Sequence, residues 1–190
     1  TKNVPNIALA DFIAPKETEK TDYMGVFTTA IFGAQELAES YRVLEDDYRA
    51  IMVQAIADRF AEALAEYLHK QIRTKHWGYA SDEILTNDDL IKENYKGIRP
   101  APGYPACPDH LEKETIWELL EVEKSIGVTL TESLAMWPAA AVSGYYFGNE
   151  EEKNFGLGKI TDDQVRDFAI RKGITLDKAR KWLHPAIAEN

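Results

Sequence analysis

Residues 97–110 contain four prolines and two glycines, which excludes a regular helix or a central strand over this stretch. Proline fixes the backbone angle φ and lowers the conformational entropy of the unfolded chain, while glycine lets a backbone approach a ligand closely. Arg99 adds a planar guanidinium that can hold a carboxylate through two hydrogen bonds. Two interpretations follow: a rigid ligand-binding loop, or a tight surface crossover between two helices.

The composition is that of one globular unit. The chain has 190 residues, of which 45% are hydrophobic and 28% charged, and this is enough to form a sizeable core. Internal repeats, low-complexity segments and Gly/Ser-rich linkers are absent from the sequence. We therefore expect residues 1–190 to form a single domain.

The charge and the cysteine content limit the partners and the compartment. A formal net charge of −10 disfavours a nucleic acid or an anionic membrane as the main partner, and favours a neutral or basic protein surface. The single cysteine, Cys107, excludes an internal disulfide, so a reducing cytoplasm is the expected compartment. No apolar run reaches membrane-spanning length, and no spacing of His or Cys is typical of a metal site.

The hydrophobic pattern predicts an α+β fold, a single domain with a central antiparallel or mixed sheet and flanking helices. Strands are predicted at residues 7–13 and 23–29, which would form a hairpin, and again at residues 128–132 and 142–147. In residues 155–160, apolar and polar residues alternate in part, as they do in a strand. A doubly wound nucleotide-binding fold is disfavoured because no strand is followed by G-x-G-x-x-G.

Helices are predicted from periodicity and from capping residues. Apolar residues at three- and four-residue steps predict a long helix over residues 36–75, either continuous or broken near Glu45. Caps predict three further helices: one from Thr86 through Asn94, one over residues 113–125 that stops at a left-handed Gly127, and one from Thr161 to Gly173. A last helix is predicted over residues 176–183, before Pro185.

Two carboxylates on the long helix form a candidate constellation. Asp58 and Glu62 are four residues apart and continue the stripe that carries Ile51 and Ala55. Like charges at this spacing destabilise an isolated helix by about 0.2–0.5 kcal/mol, which indicates a partner cation. We expect both carboxylates to face protein or ligand rather than bulk water. A salt bridge to a nearby arginine and a place in a binding site are both open at this point.

The proline-rich segment 97–110, with the segments 131–138 and 143–147, resembles the activation domain of cobalamin-dependent methionine synthase. That domain is the S-adenosylmethionine-binding module at the C-terminus of the enzyme. Shorter matching segments run from residue 9 to residue 183, so the resemblance covers nearly the whole chain. The family domain is longer, and the resemblance therefore implies that residues 1–190 are its C-terminal core, without the N-terminal portion.

The resemblance implies a function in methionine biosynthesis. The chain would bind S-adenosylmethionine and support the reductive methylation, and so the reactivation, of cob(II)alamin. Cobalamin would be held by the cobalamin-binding domain, and electrons would come from flavodoxin or a flavoprotein reductase. The domain would belong to a methyltransferase whose overall reaction needs other domains. The alternatives are a stand-alone reactivation or docking module for another corrinoid methyltransferase, and a noncatalytic interaction module.

The resemblance also implies which residues form the site. The family signature is an arginine, any three residues, a glycine and a tyrosine, and Arg99, Gly103 and Tyr104 match it here. Arg99 would bind the methionine portion of the ligand, and Tyr104 would lie near the mouth that faces cobalt. Asn154 departs from the aromatic type of the family, so its contact to the adenine is expected from the backbone. The implied ligand-binding residues are Glu62, Arg99, Ala101, Gly103, Tyr104, Asn154 and Phe155. The candidates for a part in the chemistry are Tyr104, His110 and Asp58, the last as an acceptor for the imidazole that leaves cobalt.

Overall fold

The computed structural model describes residues 7–149 and 155–188 and shows the predicted α+β class. The helices are α1 (Ala34–Val43), α2 (Asp47–Gln71), α3 (Asn87–Ile91), α4 (Glu112–Leu120), α5 (Val122–Ile126), α6 (Asp162–Lys172) and α7 (Leu176–Leu183). The strands are β1 (Gly25–Ala30), β2 (Thr129–Leu130), β3 (Met136–Trp137) and β4 (Ala141–Tyr146). Short 3₁₀ helices lie at Leu9–Phe12, Lys16–Thr18 and His184–Ala186, and a π-helical turn, Ile72–His76, follows α2.

The centre of the fold is an antiparallel pair formed by β1 and β4, in which Phe27 lies opposite Gly144. One face of this pair packs on α2 through a stripe of small residues, Ala57, Ala61 and Ala65. Alanine at every fourth position presents a narrow apolar face, so the helix lies close to the sheet. The other face packs against α4. The second sheet, β2 with β3, is also antiparallel, which confirms the antiparallel form of the prediction.

The predicted N-terminal hairpin is wrong. Part of the segment 7–13 forms a 3₁₀ helix rather than a strand, because the Asp11 side chain accepts a hydrogen bond from the Ala8 backbone N–H at 2.8 Å and closes a turn. The strand predicted at residues 23–29 exists as β1, but its partner is β4 at the other end of the chain. Stacking of Phe27 on Tyr146, with ring centroids 4.7 Å apart, favours this long-range pairing.

The helix predictions hold better, because caps are local. The break near Glu45 is confirmed: α1 ends at Val43, and the Asp46 side chain caps α2 by accepting the Arg49 N–H at 3.0 Å. The single helix predicted over residues 113–125 is wrong in one respect, since Glu121 adopts φ 46° and separates α4 from α5.

The remaining strand predictions are only partly right. The strand predicted at residues 128–132 is shorter, because only Thr129–Leu130 pairs with β3. Residues 155–159 form no strand, and Ile160 makes an isolated bridge to Ile187. The segment predicted at 142–147 is confirmed as β4 followed by a bridge at Phe147.

The loop 97–110 is fixed to the edge of β4. Ile98 and Phe147 exchange backbone hydrogen bonds of 3.1 Å, and the Tyr145 N–H donates to the Pro100 carbonyl at 2.9 Å. Gly144 permits this close passage, since a Cβ there would lie 2.6 Å from the Pro100 oxygen. The loop is therefore held at a defined place opposite α2.

Candidate functional site

Two adjoining cavities beside α2, which share Glu62, Glu93, Arg99 and Val142, form the two parts of a cleft, and residues 99–101 and 104–106 line the inner part. The inner part, with a volume of about 350 Å³, is lined by residues that include Glu62, Arg99, Ala101, Tyr104 and Phe155. The outer part, of about 820 Å³, shares Glu62 and Arg99 with it. Volumes of roughly 300–1,000 Å³ are typical of small-molecule sites. The structure thus brings five of the seven sequence-predicted ligand-binding residues to one cavity.

The two carboxylates of the predicted constellation face this cleft. The stripe with Ile51 and Ala55 is not the buried face of α2, because Ile51 is 62% exposed and the core face is that of Ala57, Ala61 and Ala65. Asp58 and Glu62 are exposed on the neighbouring face and line the outer part of the cleft. Glu66 pairs with Arg99 at 3.1 Å and with Arg73 at 4.0 Å, whereas Asp58 and Glu62 form no ion pair with another described residue.

Tyr104 connects the loop with α2. Its hydroxyl donates to Glu62 Oε1 across 3.4 Å, and its side chain remains 54% exposed toward the cleft. Partial burial and the negative charge of Glu62 raise the pKa of Tyr104, so its hydroxyl stays protonated at neutral pH. The proton keeps Tyr104 a hydrogen-bond donor at the edge of the cavity.

Gly103 forms the tight turn that presents Tyr104. Its φ is +96°, and its N–H donates to the Cys107 carbonyl at 2.7 Å. Directly behind it lies the His110 ring, since a Cβ on Gly103 would be 2.3 Å from His110 Cε1. Gly103 and His110 line a small separate cavity of about 160 Å³. Gly103 therefore does not line the cleft, and its predicted ligand contact stays a prediction.

His110 supports the loop from behind. Its ring packs edge to face against Trp182, with centroids 6.1 Å apart, and burial followed by the charge of Lys113 lowers its pKa. Cys107 is a free thiol whose pKa burial raises to about 12, so it is not a nucleophile at neutral pH. The predicted role of His110 in the chemistry stays a prediction. Asn154, another predicted site residue, lies outside the described residues.

Glu66 is a cleft residue that the sequence reasoning missed. Its Oε2 accepts a hydrogen bond from Arg99 Nη2 at 3.1 Å, and the two side chains are 27% and 17% exposed. A signal was available, because Glu66 continues the four-residue spacing of Asp58 and Glu62 along α2. Glu93 and Tyr95 also line the inner part and carried no sequence signal.

The described residues include neither a cluster of metal-binding side chains nor a helix that could span a membrane. Across residues 7–149 and 155–188, no cluster of three or more His, Cys, Asp or Glu side chains is arranged to hold a metal ion. In the same ranges, none of the helices combines the length and the apolar character needed to cross a bilayer.

Fold and cleft together define an α+β domain with a cleft of small-molecule size, lined by several carboxylates and by Arg99, whose side chain is mostly buried. The chain belongs to the family described as vitamin B12 dependent methionine synthase, activation domain, which its residues 1–173 match. It is also similar to a solved structure, the crystal structure of the MetH reactivation domain bound to AdoHcy, with 52% sequence identity and a TM-score of 0.95.

The lengths of the two proteins differ. The alignment covers 100% of this chain and 59% of that chain, so this chain spans about three fifths of its relative. The resemblance seen in the loop 97–110 is thereby confirmed, and so is the fold class.

Proposed function

We propose that this chain binds S-adenosylmethionine in the cleft beside α2, and that it supports the reductive methylation of cobalamin held by a partner domain. The observation that carries this proposal is the convergence of Glu62, Arg99, Ala101, Tyr104 and Phe155 on one cavity of about 350 Å³. The related reactivation domain has bound AdoHcy, the molecule that remains when S-adenosylmethionine gives up its methyl group.

The charges of the cleft suit this ligand. S-adenosylmethionine carries one carboxylate, one ammonium and one sulfonium, so it is a net cation with a single anionic group. The outer part of the cleft is lined by an excess of acidic side chains over basic ones: Asp58, Glu62, Glu66 and Glu93 against Arg59 and Arg99. Arg99 is the cation that both parts of the cleft share, which makes it the partner of the ligand carboxylate.

The loop and the aromatic residues complete the proposed site. The loop residues Pro100, Ala101, Pro105 and Ala106 line one wall of the inner part, and of these only Ala101 and Ala106 carry a backbone N–H to donate to an adenosine. Phe155 offers a ring face to the adenine from the same cavity. Such a site holds the sulfonium methyl group in a fixed direction while water is excluded by the docked partner.

The chemistry is shared with other polypeptides. The methyl group passes from the sulfonium of S-adenosylmethionine to a reduced cobalamin, and S-adenosylhomocysteine leaves; the electron comes from flavodoxin or a flavoprotein reductase. In this proposal the chain orients the methyl donor and docks the cobalamin-binding domain. We place it in the cytoplasm, where the free thiol of Cys107 stays reduced.

A calorimetric titration tests the ligand assignment. The 190-residue chain is titrated with S-adenosylmethionine beside Arg99→Ala and a control, Arg166→Ala, which removes an exposed arginine paired with Asp162 on α6. We expect saturable binding by the wild-type chain and the control, and a loss of about a hundredfold in Arg99→Ala, the range for a buried charged contact. Equal affinity of all three proteins contradicts the assignment, and no binding by any favours a noncatalytic interaction module.

A further inference from the structure

A buried ion pair lies directly behind the cleft, on the π-helical turn that follows α2. Arg73 has no exposed surface, and its Nε and Nη2 donate to Glu83 Oε2 and Oε1, each at 2.8 Å. Its guanidinium also lies over the Tyr95 ring, 4.2 Å from the centroid. A buried charge is tolerated only when it is paired in good geometry, so Arg73 is fixed in one place.

Glu66 connects this buried arginine with the arginine of the cleft. Its Oε1 lies 4.0 Å from Arg73 Nη1, an ion pair beyond hydrogen-bond distance, and its Oε2 accepts from Arg99 Nη2 at 3.1 Å. Each carboxylate oxygen thus faces a different guanidinium. The order Glu83, Arg73, Glu66, Arg99 runs from the interior to the wall of the cleft.

We propose that Glu66 is a positioning residue for the ligand site: with one oxygen attracted by the charge of Arg73, it holds the Arg99 guanidinium in the orientation that receives the ligand carboxylate. This inference rests on the proposed function, because it concerns how the same site recognises the amino-acid end of its ligand. An arginine side chain loses rotamer freedom when it is ordered, and ordering it before the ligand arrives removes that cost from binding.

Electrostatic repulsion alone predicts the opposite change in ligand affinity when the charge of Glu66 is removed. A carboxylate 3.1 Å from Arg99 repels the ligand carboxylate, so removal of its charge would strengthen binding if positioning were unimportant. Glutamine separates the two effects, since its amide oxygen can still accept from Arg99 Nη2 but carries no charge. Leucine fills a similar volume and removes the acceptor as well.

The test compares Glu66→Gln and Glu66→Leu with two ligands. S-adenosylhomocysteine carries the carboxylate, whereas 5′-methylthioadenosine has the adenosine and the sulfur but no amino-acid end. For S-adenosylhomocysteine we expect Glu66→Gln to bind within about threefold of the wild-type chain and Glu66→Leu about tenfold more weakly. For 5′-methylthioadenosine we expect no change in either variant. Glu39→Leu, which frees Arg42 from a 3.2 Å ion pair on α1, serves as the control.

A readout without ligand separates this inference from the proposed function. In ¹⁵N-edited NMR spectra, the Arg99 side-chain N–H should be ordered in the wild-type chain and in Glu66→Gln, and mobile in Glu66→Leu. If the wild-type chain binds neither ligand, the proposed function fails while the spectra still decide on positioning. The inference is overturned by equal Arg99 order in all variants, by Glu66→Gln binding S-adenosylhomocysteine more than about threefold tighter than the wild-type chain, or by an equal loss for both ligands.

Discussion

Gly103 makes the sharpest stability prediction, because two separate penalties meet at one residue. Its φ of +96° disfavours any residue with a Cβ, and a left-handed conformation costs alanine about 1–2 kcal/mol. The added methyl would also lie 2.3 Å from His110 Cε1, and overpacking of this kind costs about 1–3 kcal/mol. We expect Gly103→Ala to lower the free energy of unfolding by about 2–5 kcal/mol, as measured by urea denaturation.

Two further variants separate the cost of the left-handed backbone from the cost of the clash with His110. Gly33 has a φ of +83° with nothing within 4 Å of its Cβ position, so Gly33→Ala should show the conformational cost alone, about 1–2 kcal/mol. In a His110→Ala background, Gly103→Ala should fall to the same cost, because the clash is removed. Equal losses for Gly33→Ala and Gly103→Ala, or an unchanged loss in the His110→Ala background, would refute the reasoning.

Three other predictions concern pH, capping and docking. Burial, followed by the charges of Arg73 and Arg99, lowers the pKa of His69 from 6.5 to about 2, so the unfolded chain binds a proton that the folded chain does not. As the pH is lowered below 6.5, His69 should therefore decrease the free energy of unfolding by up to about 1.4 kcal/mol per pH unit. Denaturant titrations between pH 7 and 5 should show that the free energy of unfolding depends less steeply on pH in His69→Phe. Thr175→Ala should cost about 1 kcal/mol in thermal unfolding, because the hydroxyl caps α7 by accepting the Lys178 N–H, whereas Thr175→Ser should stay near wild type. Asp58→Asn should lower the affinity for S-adenosylmethionine by no more than about threefold, because Asp58 is an exposed residue of the outer part of the cleft, but it should bind the isolated cobalamin-binding domain about fivefold more weakly in calorimetry, as for the loss of one exposed ion pair. Equal docking of both forms would exclude Asp58 as the acceptor for the imidazole that leaves cobalt.

Local signals in the sequence were sufficient to place the helices, although not the break at Glu121 or the early end of α3 at Ile91. The caps at Thr86 and Thr161 and the stop at Gly173 depend on neighbours within a few residues, and the structure confirms them. The pairing of β1 with β4 could not be predicted in this way, because its energy comes from contacts such as Phe27 on Tyr146 between distant parts of the chain.

In the site as well, residues of a local motif could be predicted, whereas residues that depend on distant contacts could not. A recognisable signature pointed to Arg99 and Tyr104, and the structure places both at the cleft. Glu66 and Arg73 were missed, because a charged residue in a helical segment is more often solvated than buried. Burial of Arg73 depends on Glu83 and Tyr95, which no helical periodicity connects with it.

A structure of this chain with S-adenosylhomocysteine tests the central claim most directly. We predict the ligand carboxylate within hydrogen-bond distance of the Arg99 guanidinium, with Glu66 still holding Nη2, and the adenosine between residues 100–106 and Phe155. A ligand bound outside this cleft, or bound within it with the carboxylate away from Arg99, would contradict the account.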